Sequence, residues 1–189
     1  PQLGFQSYNQ LAWFDGTADY VTIADDAAIT PTTDGFTVSA WVYANDNVSI
    51  PIVLKGTDEA DMEYVLYTHT NGKLIFRIGK DGTDGSYAGV ISTGPALVKG
   101  SWQYIVGTWD GTENSSSGIY LYVNGEQQST NTSSNSAQAL VDGSDPLLIG
   151  KGAIGSDTVF INGSITEVSL WNTQLTLAKV QELYNYGEA

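Results

Sequence analysis

The sequence predicts an antiparallel β-sandwich that carries a helix at its C-terminal end. Short runs in which apolar and polar residues alternate recur along the chain, and most of them end at an Asp-Gly, Asn-Gly or Lys-Gly turn. Helical periodicity is missing between these runs, so the strands must follow one another directly, as they do in sandwiches. The helical pattern is confined to the last residues, where Thr176 is a candidate N-cap before an apolar face.

The stretch from Trp102 to Gly125 gives the firmest local prediction. Alternation runs from Trp102 to Trp109, stops at Asp110-Gly111, resumes over Ile119 to Val123 and stops again at Asn124-Gly125. Asn-Gly tolerates the positive φ angles that both central positions of a type I′ turn require. The stretch therefore predicts two antiparallel strands and the start of a third.

The remaining elements follow the same pattern. Strands are predicted at 11–14, 20–23, 36–44, 50–54, 63–68, 73–78, 87–92, 147–149 and 160–171. The strand at 36–44 places Phe36 and Val38 on one face and Trp41 and Tyr43 on the other. Residues 127–138 are rich in Ser, Asn and Thr, which predicts an exposed loop. Leu177, Val180, Leu183 and Tyr184 share one helical face.

Composition narrows the classes of partner. Seven Lys and Arg against 21 Asp and Glu give a net charge of −14, which repels nucleic acid and suits divalent cations or neutral polar ligands. The chain has no Cys, which argues against a thiolate zinc site, and a single His, His69, on which any serine triad would have to depend. No apolar run approaches the roughly 18 residues of a membrane span. The 189 residues are expected to form one soluble domain with its core at about 11–186.

An ordered series of motifs resembles the laminin-G-like domains of the concanavalin A-like lectin/glucanase superfamily over roughly Leu11 to Tyr186. The motifs are FDG at 14–16, DYVTI at 19–23, GFTVSAWV at 35–42, IVLKG at 52–56, GKLIFR at 72–77, WQYIVGTWDG at 102–111, LYVNG at 121–125, LIG at 148–150 and GSITEVSLWN at 163–172. The resemblance implies an all-β, two-sheet antiparallel jelly-roll sandwich, often with calcium. It also implies a non-catalytic sugar-binding or adhesion module that is located outside the cell, on the cell surface or on the surface of a virion.

Acidic turns are the candidate calcium sites, because Ca²⁺ binds carboxylate and carbonyl oxygens in turns. Asp15 and Asp19 bracket an early turn, and Glu167 is expected to approach it because the first and last strands of a jelly roll generally run close together. Loops at 81–85 and 142–145 have comparable acidic spacing. The alternative is that these Asp-Gly pairs serve only as β-turns.

Aromatic side chains are the candidate ligand contacts, since sugar C–H faces pack on flat rings while polar groups bond the hydroxyls. The predicted ligand-binding residues are Tyr43, Trp109, Tyr120 and Tyr122. The other strand tryptophans are expected to fill the core or its ends: Trp41, Trp102 and Trp171.

A third hypothesis concerns Glu59, Asp61 and Glu63, which would share one face of an extended strand. Glucanases of the same superfamily carry a Glu-x-Asp-x-Glu motif, in which two carboxylates flank the scissile bond. The resemblance, however, places Glu59 and Asp61 in a loop. The alternative is a solvated acidic loop.

The sequence thus predicts a calcium-stabilised, non-catalytic module that binds a glycan through ring stacking and hydrogen bonds. Two alternatives stay open. The first is a structural or attachment domain of a virus particle or cell-surface assembly that binds a surface protein. The second is a glycoside hydrolase that uses Glu59 and Glu63.

Overall fold

A computed structural model describes residues 12–46, 49–58, 62–69, 71–79, 87–135, 140, 143–154 and 157–187. The strands in chain order are β1 (Ala12–Asp15), β2 (Val21–Ile23), β3 (Phe36–Ala44), β4 (Ile50–Gly56), β5 (Met62–Thr68), β6 (Leu74–Gly79), β7 (Tyr87–Ser92), β8 (Trp102–Trp109), β9 (Ile119–Val123), β10 (Glu126–Gln127), β11 (Thr130–Asn135), β12 (Leu147–Ile149), β13 (Lys151–Ile154), β14 (Asp157–Phe160) and β15 (Asn162–Trp171). A short 3₁₀ helix covers Ala27–Ile29 and the α-helix α1 covers Leu177–Gly187.

The described strands form two large antiparallel sheets that pack face to face. The first sheet has the order β1-β15-β3-β8-β9-β10, and the second has the order β11-β7-β6-β5-β4-β12-β2. β13 and β14 pair separately as a hairpin. This arrangement confirms the predicted all-β jelly-roll sandwich with a short C-terminal helix.

The main core lies between the two sheets, and the period of the strands decides which side chains enter it. Phe36, Val38, Ala40 and Val42 are all buried there, as the alternation predicts. Phe76 of the opposite sheet comes so close to Gly107 that a Cβ built on the glycine would lie 2.6 Å from the ring. The centre of the sandwich is therefore packed tightly enough to require glycine at position 107.

Helix α1 covers part of the outer face of the first sheet. Its N-terminus is capped by Thr176 as predicted, since the Lys179 N–H donates to Thr176 Oγ1 at 3.4 Å. On the side of α1 that faces the sheet, Val180 is fully buried, and Tyr184 stacks on Trp41 with ring centroids 5.7 Å apart. Within the described part of the chain, no helix is long and apolar enough to cross a membrane.

Three local predictions are wrong. Residues 130–135 form strand β11, which pairs with β7, although an exposed loop was expected at 127–138. The side chains of β11 are exposed or half-buried, so the strand depends on its backbone hydrogen bonds and lacks an apolar signature. The run at 160–171 is interrupted at Ile161, which separates β14 from β15, and β13 was not predicted. Leu11, the predicted start of the first strand, lies outside the described residues.

Candidate functional site

A groove of about 490 Å³ lies at the open edge of the sandwich, where β9 and β10 of the first sheet face β11 of the second. The chain crosses between the sheets here through Gln128 and Ser129. The Gln128 N–H donates to Leu121 O at 2.8 Å, and Ser129 O accepts from the Thr93 N–H at 2.9 Å. This volume falls within the range of about 300–1,000 Å³ that is usual for small-ligand sites.

Hydroxyl and amide groups form most of the groove lining, while Val90 and Ile119 supply its apolar part. The polar lining includes Ser115, Ser117, Gln127, Gln128, Thr130 and Asn135. Among the described residues, no Asp, Glu, Lys or Arg side chain lines the groove. In a chain of net charge −14, this is a locally uncharged surface that can donate and accept hydrogen bonds.

Hydrogen bonds hold the loop that forms one wall of the groove. The Ser116 N–H donates to Asn135 Oδ1 at 2.7 Å, and the hydroxyls of Ser116 and Thr132 lie 2.9 Å apart. Ser116 is buried, so these bonds fix the loop against β11 rather than face a ligand. The hydroxyls of Ser115 and Ser117, 2.8 Å apart, remain at the surface.

Tyr120 is the aromatic residue among the described residues that line the groove. It lies on β9 opposite Thr108, and it is 36% exposed. Its neighbours on the strand, Ile119 and Leu121, point into the main core and hold the strand in place. Strand alternation turns the Tyr120 side chain to the outer face of the first sheet with Thr108 and Tyr122, so its ring stands at the rim of the groove, beside the hydroxyl and amide groups of the lining. A ring next to such groups is the combination that sugar recognition needs.

The other predicted aromatic contacts divide into open and buried rings. Tyr43 is half-buried on the outer face of the first sheet. Trp109 is only 1% exposed in the main core, and Tyr122 is buried in the cluster with Val180 of α1. The prediction that Trp109 and Tyr122 form part of an open ligand surface is therefore wrong. Trp102, expected to fill the core or its ends, is 38% exposed on the outer face of the first sheet.

The predicted calcium ligands do not come together. Asp15 pairs with Asn162, so Glu167 lies five residues further along β15, roughly 16 Å away at about 3.3 Å per residue. Oxygens that share a calcium ion must each lie about 2.3–2.6 Å from it. The set of Asp15, Asp19 and Glu167 is therefore wrong as a metal site, because the strand register separates its members.

Within the described residues, no three His, Cys, Asp or Glu side chains form a group that could hold a metal ion. The loop at 81–85 and Asp142 lie outside the described residues. Asp145 is described, and its backbone carbonyl accepts a hydrogen bond from Lys55 Nζ at 2.7 Å. Bound calcium stays a prediction of the sequence.

The carboxylate of Asp15 acts as a turn cap. It accepts hydrogen bonds from the Thr17 hydroxyl at 2.6 Å, the Thr17 N–H at 2.8 Å and the Ala18 N–H at 3.1 Å. Asp19 closes the turn by accepting the Asp15 N–H at 3.2 Å. The hydrogen bonds from the Thr17 side chain and backbone lower the pKa of Asp15 from 3.8 to about 2.

We expect this cap to give a pH dependence with a definite sign. Because the folded-state pKa of Asp15 is lowered from 3.8 to about 2, its contribution is present above about pH 3.8 and is lost as the pH falls through about 2. In Asp15→Asn, an amide oxygen still accepts hydrogen bonds but does not titrate. Denaturation between pH 2 and 4 should show a steeper loss of stability in the wild type than in Asp15→Asn. Parallel curves would contradict the assignment.

Glu63 takes part in a buried ionic network rather than an open acidic site. Its Oε1 lies 2.7 Å from Lys55 Nζ, which also contacts Asp25 Oδ1 at 2.6 Å. Burial disfavours the charged form of Lys55, but hydrogen bonds to Asp25 and Glu63 outweigh it and raise the pKa of the lysine. Burial also raises the pKa of Glu63, against the opposing effect of Lys55.

The glucanase hypothesis finds no support in the position of Glu63. The side chain is 7% exposed and ion-paired, which leaves little access for a sugar. Its presumed partners, Glu59 and Asp61, lie outside the described residues. The described geometry gives Glu63 a structural contact with Lys55 and, through the Gly143 N–H at 3.1 Å, with the segment before β12.

Most of the groove residues were not predicted from the sequence as ligand contacts. Tyr120 was identified from its strand, but the polar residues at 115–117 and 127–135 carry no motif and were assigned to turns and a loop. The available signal was the combination of small hydroxyl residues with an absence of charge at 127–135 in an otherwise acidic chain. That signal identifies an unusual surface, but only the pairing of β11 with β7 places it beside Tyr120.

Two facing antiparallel sheets with a helix on one outer face define an all-β jelly-roll sandwich domain, and the uncharged groove lies at its open edge. A family profile, described as the concanavalin A-like lectin/glucanases superfamily, matches residues 15–181. The chain belongs to this superfamily, as the sequence resemblance predicted. The comparison with curated protein sequences gives no match.

Solved structures share the fold at low sequence identity. A heptameric SAP-like pentraxin from Limulus polyphemus is 16% identical, with a TM-score of 0.63 over 92% of this chain and 80% of that one. The botulinum neurotoxin serotype G binding domain is 12% identical, with a TM-score of 0.66 over 94% of this chain and 42% of that one. A Bacteroides ovatus protein described as a candidate carbohydrate-binding protein is 18% identical, with a TM-score of 0.59 over 89% and 45%. The last two structures are thus more than twice as long as the region that matches, and the similarity concerns fold.

Proposed function

We propose that this domain is a non-catalytic carbohydrate-binding module and that a neutral glycan occupies the edge groove. The observation that carries the proposal is the lining, where Tyr120 accompanies hydroxyl and amide groups and no charged side chain among the described residues. A neutral sugar has apolar C–H faces for the ring and many hydroxyls for the polar groups. A phosphate or carboxylate ligand would meet no cation among the described lining residues and would also meet the field of an acidic chain.

Three further observations support a binding role. The described part of the groove contains no carboxylate pair that could act as acid and base on a glycosidic bond. Glu63, which is the candidate catalytic carboxylate among the described residues, forms an ion pair with Lys55. Fold neighbours include a toxin binding domain and a candidate carbohydrate-binding protein. These neighbours also favour a place outside the cell or at a surface, where glycans are exposed.

Substitution of Tyr120 tests the role of the ring. Burying an aromatic side chain is worth about 1.5–3 kcal/mol, and each 1.4 kcal/mol is about tenfold in affinity, so Tyr120→Ala should weaken binding at least about tenfold. Tyr120→Phe keeps the ring and should lose much less. Isothermal titration with neutral oligosaccharides selected from a glycan array measures both variants.

A matched control is Tyr186→Ala, because Tyr186 is 74% exposed on α1 and does not line the groove. It should bind like the wild type. Binding that weakens equally in Tyr120→Ala and Tyr186→Ala would count against the groove. A wild-type protein that binds none of the glycans on the array would contradict the proposal and favour the structural or attachment alternative.

A further inference from the structure

Three aromatic side chains and one serine form a row across the outer face of the first sheet. The register pairs Trp13 with Ser164, Ser164 with Tyr43, and Tyr43 with Trp102. Direct antiparallel partners point to the same side of a sheet, so these four side chains cross β1, β15, β3 and β8 together. The ring centroids of Tyr43 and Trp102 are 5.7 Å apart. We call Trp13, Tyr43 and Trp102 the aromatic row.

The two outer rings of the aromatic row are exposed, although helix α1 packs on the next row along the strands. In that next row, Trp41 pairs with Tyr104 and both rings meet Tyr184 of α1. In the aromatic row, by contrast, Trp13 is 61% exposed and Trp102 is 38% exposed. Several large apolar side chains on one face of a sheet, with two of them exposed, indicate a contact surface more often than an isolated one does.

Polar groups lie on the other side of the aromatic row. Asp15 pairs with Asn162 one pleat further along, about 6.7 Å from the row. The Asn45 N–H donates to Asn162 O at 2.9 Å, and Asn45 Nδ2 donates to Asn162 Oδ1 at 2.9 Å. The row of rings is therefore bordered by the amides of Asn45 and Asn162, which orient one another, and by the carboxylates of Asp15 and Asp46, the second of which accepts a hydrogen bond from Asn162 Nδ2 at 3.3 Å.

We propose that the aromatic row is a second binding surface, separate from the groove, for an extended neutral polysaccharide. Adjacent strands are about 4.8 Å apart, so the rings span about 14 Å from Trp13 to Trp102, and Tyr43 lies about 10 Å from Trp13. A row of that length matches several linked sugar rings, whose C–H faces pack on aromatic rings. The bordering amides can bond the hydroxyls at the chain's edge.

The size of the aromatic row argues against a protein partner or a second copy of this chain. Three fully buried aromatic side chains cover about 450–750 Å², at about 150–250 Å² each. Trp13 and Trp102 are exposed by only 61% and 38%, so the accessible ring area is well below this range. A stable protein interface needs about 800 Å² on each partner. A narrow polysaccharide chain needs only the row and its polar border.

The aromatic row and the groove are far enough apart to be tested independently. Tyr120 of the groove pairs with Thr108, which lies six residues along β8 from Trp102. At about 3.3 Å per residue, the two sites are roughly 20 Å apart. A substitution in the row should therefore leave the groove intact.

Sedimentation with insoluble neutral polysaccharides tests the proposal, with cellulose, chitin, xylan and starch as probes. We expect the double variant Trp13→Ala/Trp102→Ala to lose at least about tenfold in affinity for the polysaccharide that the wild type binds. Its thermal midpoint should fall by no more than about 2–4 °C, and its affinity for soluble oligosaccharides at the groove should stay unchanged. Tyr120→Ala, in contrast, should still sediment with the insoluble probe.

Several results would overturn the proposal. A double variant that sediments like the wild type would remove the aromatic row as a binding surface, and so would a wild type that binds none of the four probes. Light scattering tests self-association. If the wild type is an oligomer and the double variant is a smaller species, the row binds a second copy of this chain instead of a polysaccharide. None of these results would affect binding of soluble glycans in the groove, so the groove proposal is judged separately.

Discussion

Trp109→Ala should lower the free energy of unfolding by about 3–5 kcal/mol. Trp109 is 1% exposed, at the end of the central strand β8, where it pairs with Phe36 and Ile119. Its Nε1 also donates to Thr112 O at 3.1 Å, which ties the loop after β8 to the core. Removing the ring leaves a cavity that the surrounding strands can fill only in part. Urea denaturation should show a lower midpoint with an unchanged slope.

Trp13→Ala is the matched control for this prediction. It removes the same side chain from an edge strand where the ring is 61% exposed, so the loss should stay near 0.5 kcal/mol. Equal losses in the two variants would contradict the assignment of Trp109 to the core and reopen it as a ligand contact.

Lys55→Met should be the next most damaging substitution, with a loss of about 3 kcal/mol or more. The ammonium group of Lys55 is fully buried against Asp25, Glu63 and the carbonyl of Asp145. Methionine fills a similar volume but leaves the carboxylate of Glu63 buried without its cation, a change that typically costs about 3–5 kcal/mol. Because Asp25 is 31% exposed and can be rehydrated, we expect the lower end of that range.

The exposed pair of Lys179 and Glu182 provides the control. Its atoms are 2.8 Å apart, but both side chains are nearly half exposed, so Lys179→Met should cost less than about 1 kcal/mol. The stability that Lys55 contributes also changes with pH in a definite direction. Since its pKa is raised above 10.5, the contribution is present below about pH 10.5 and is lost as the pH rises through the folded-state value. A Lys55→Met variant as stable as Lys179→Met would contradict the account of the network.

Strand periodicity predicted the core of this fold well because burial enforces it. The alternation at 36–44 identified Phe36 and Val38 as core residues, and both are fully buried. The turn at Asn124-Gly125 was predicted from its sequence, and both residues adopt positive φ, 52° and 77°. These features are local, so a single sequence contains the information that determines them.

Tertiary contacts decided what the sequence could not. Alternation tells which side chains share a face, but helix α1 determines that Trp41 stacks on Tyr184 while Trp102 is left 38% exposed. In the same way, the chain pairs Asp15 with Asn162 rather than with a residue near Glu167, and so separates the predicted metal ligands. Strand register over long range sets both outcomes, and no local pattern encodes it.

The groove shows the same limit for function. Strand β11 has too little apolar character to be identified from its sequence, yet its pairing with β7 brings Asn135 to the loop that contains Ser116. Tyr120 could be predicted as a ligand contact because it lies on a strand with a clear alternating pattern. The hydroxyl and amide groups around Tyr120 could not be predicted in this way. A polar binding surface built from an edge strand and a turn leaves composition as its main signal.

Backbone amide NMR during titration with a neutral oligosaccharide tests the central claim most directly, because it locates the ligand as well as detecting it. We predict that the largest shifts cluster at 115–120 and 127–130, that they saturate, and that added salt leaves the affinity unchanged because the ligand is uncharged. Shifts confined to other parts of the chain would contradict the groove as the glycan site, and an absence of shifts with every neutral glycan tried would contradict the carbohydrate-binding function itself.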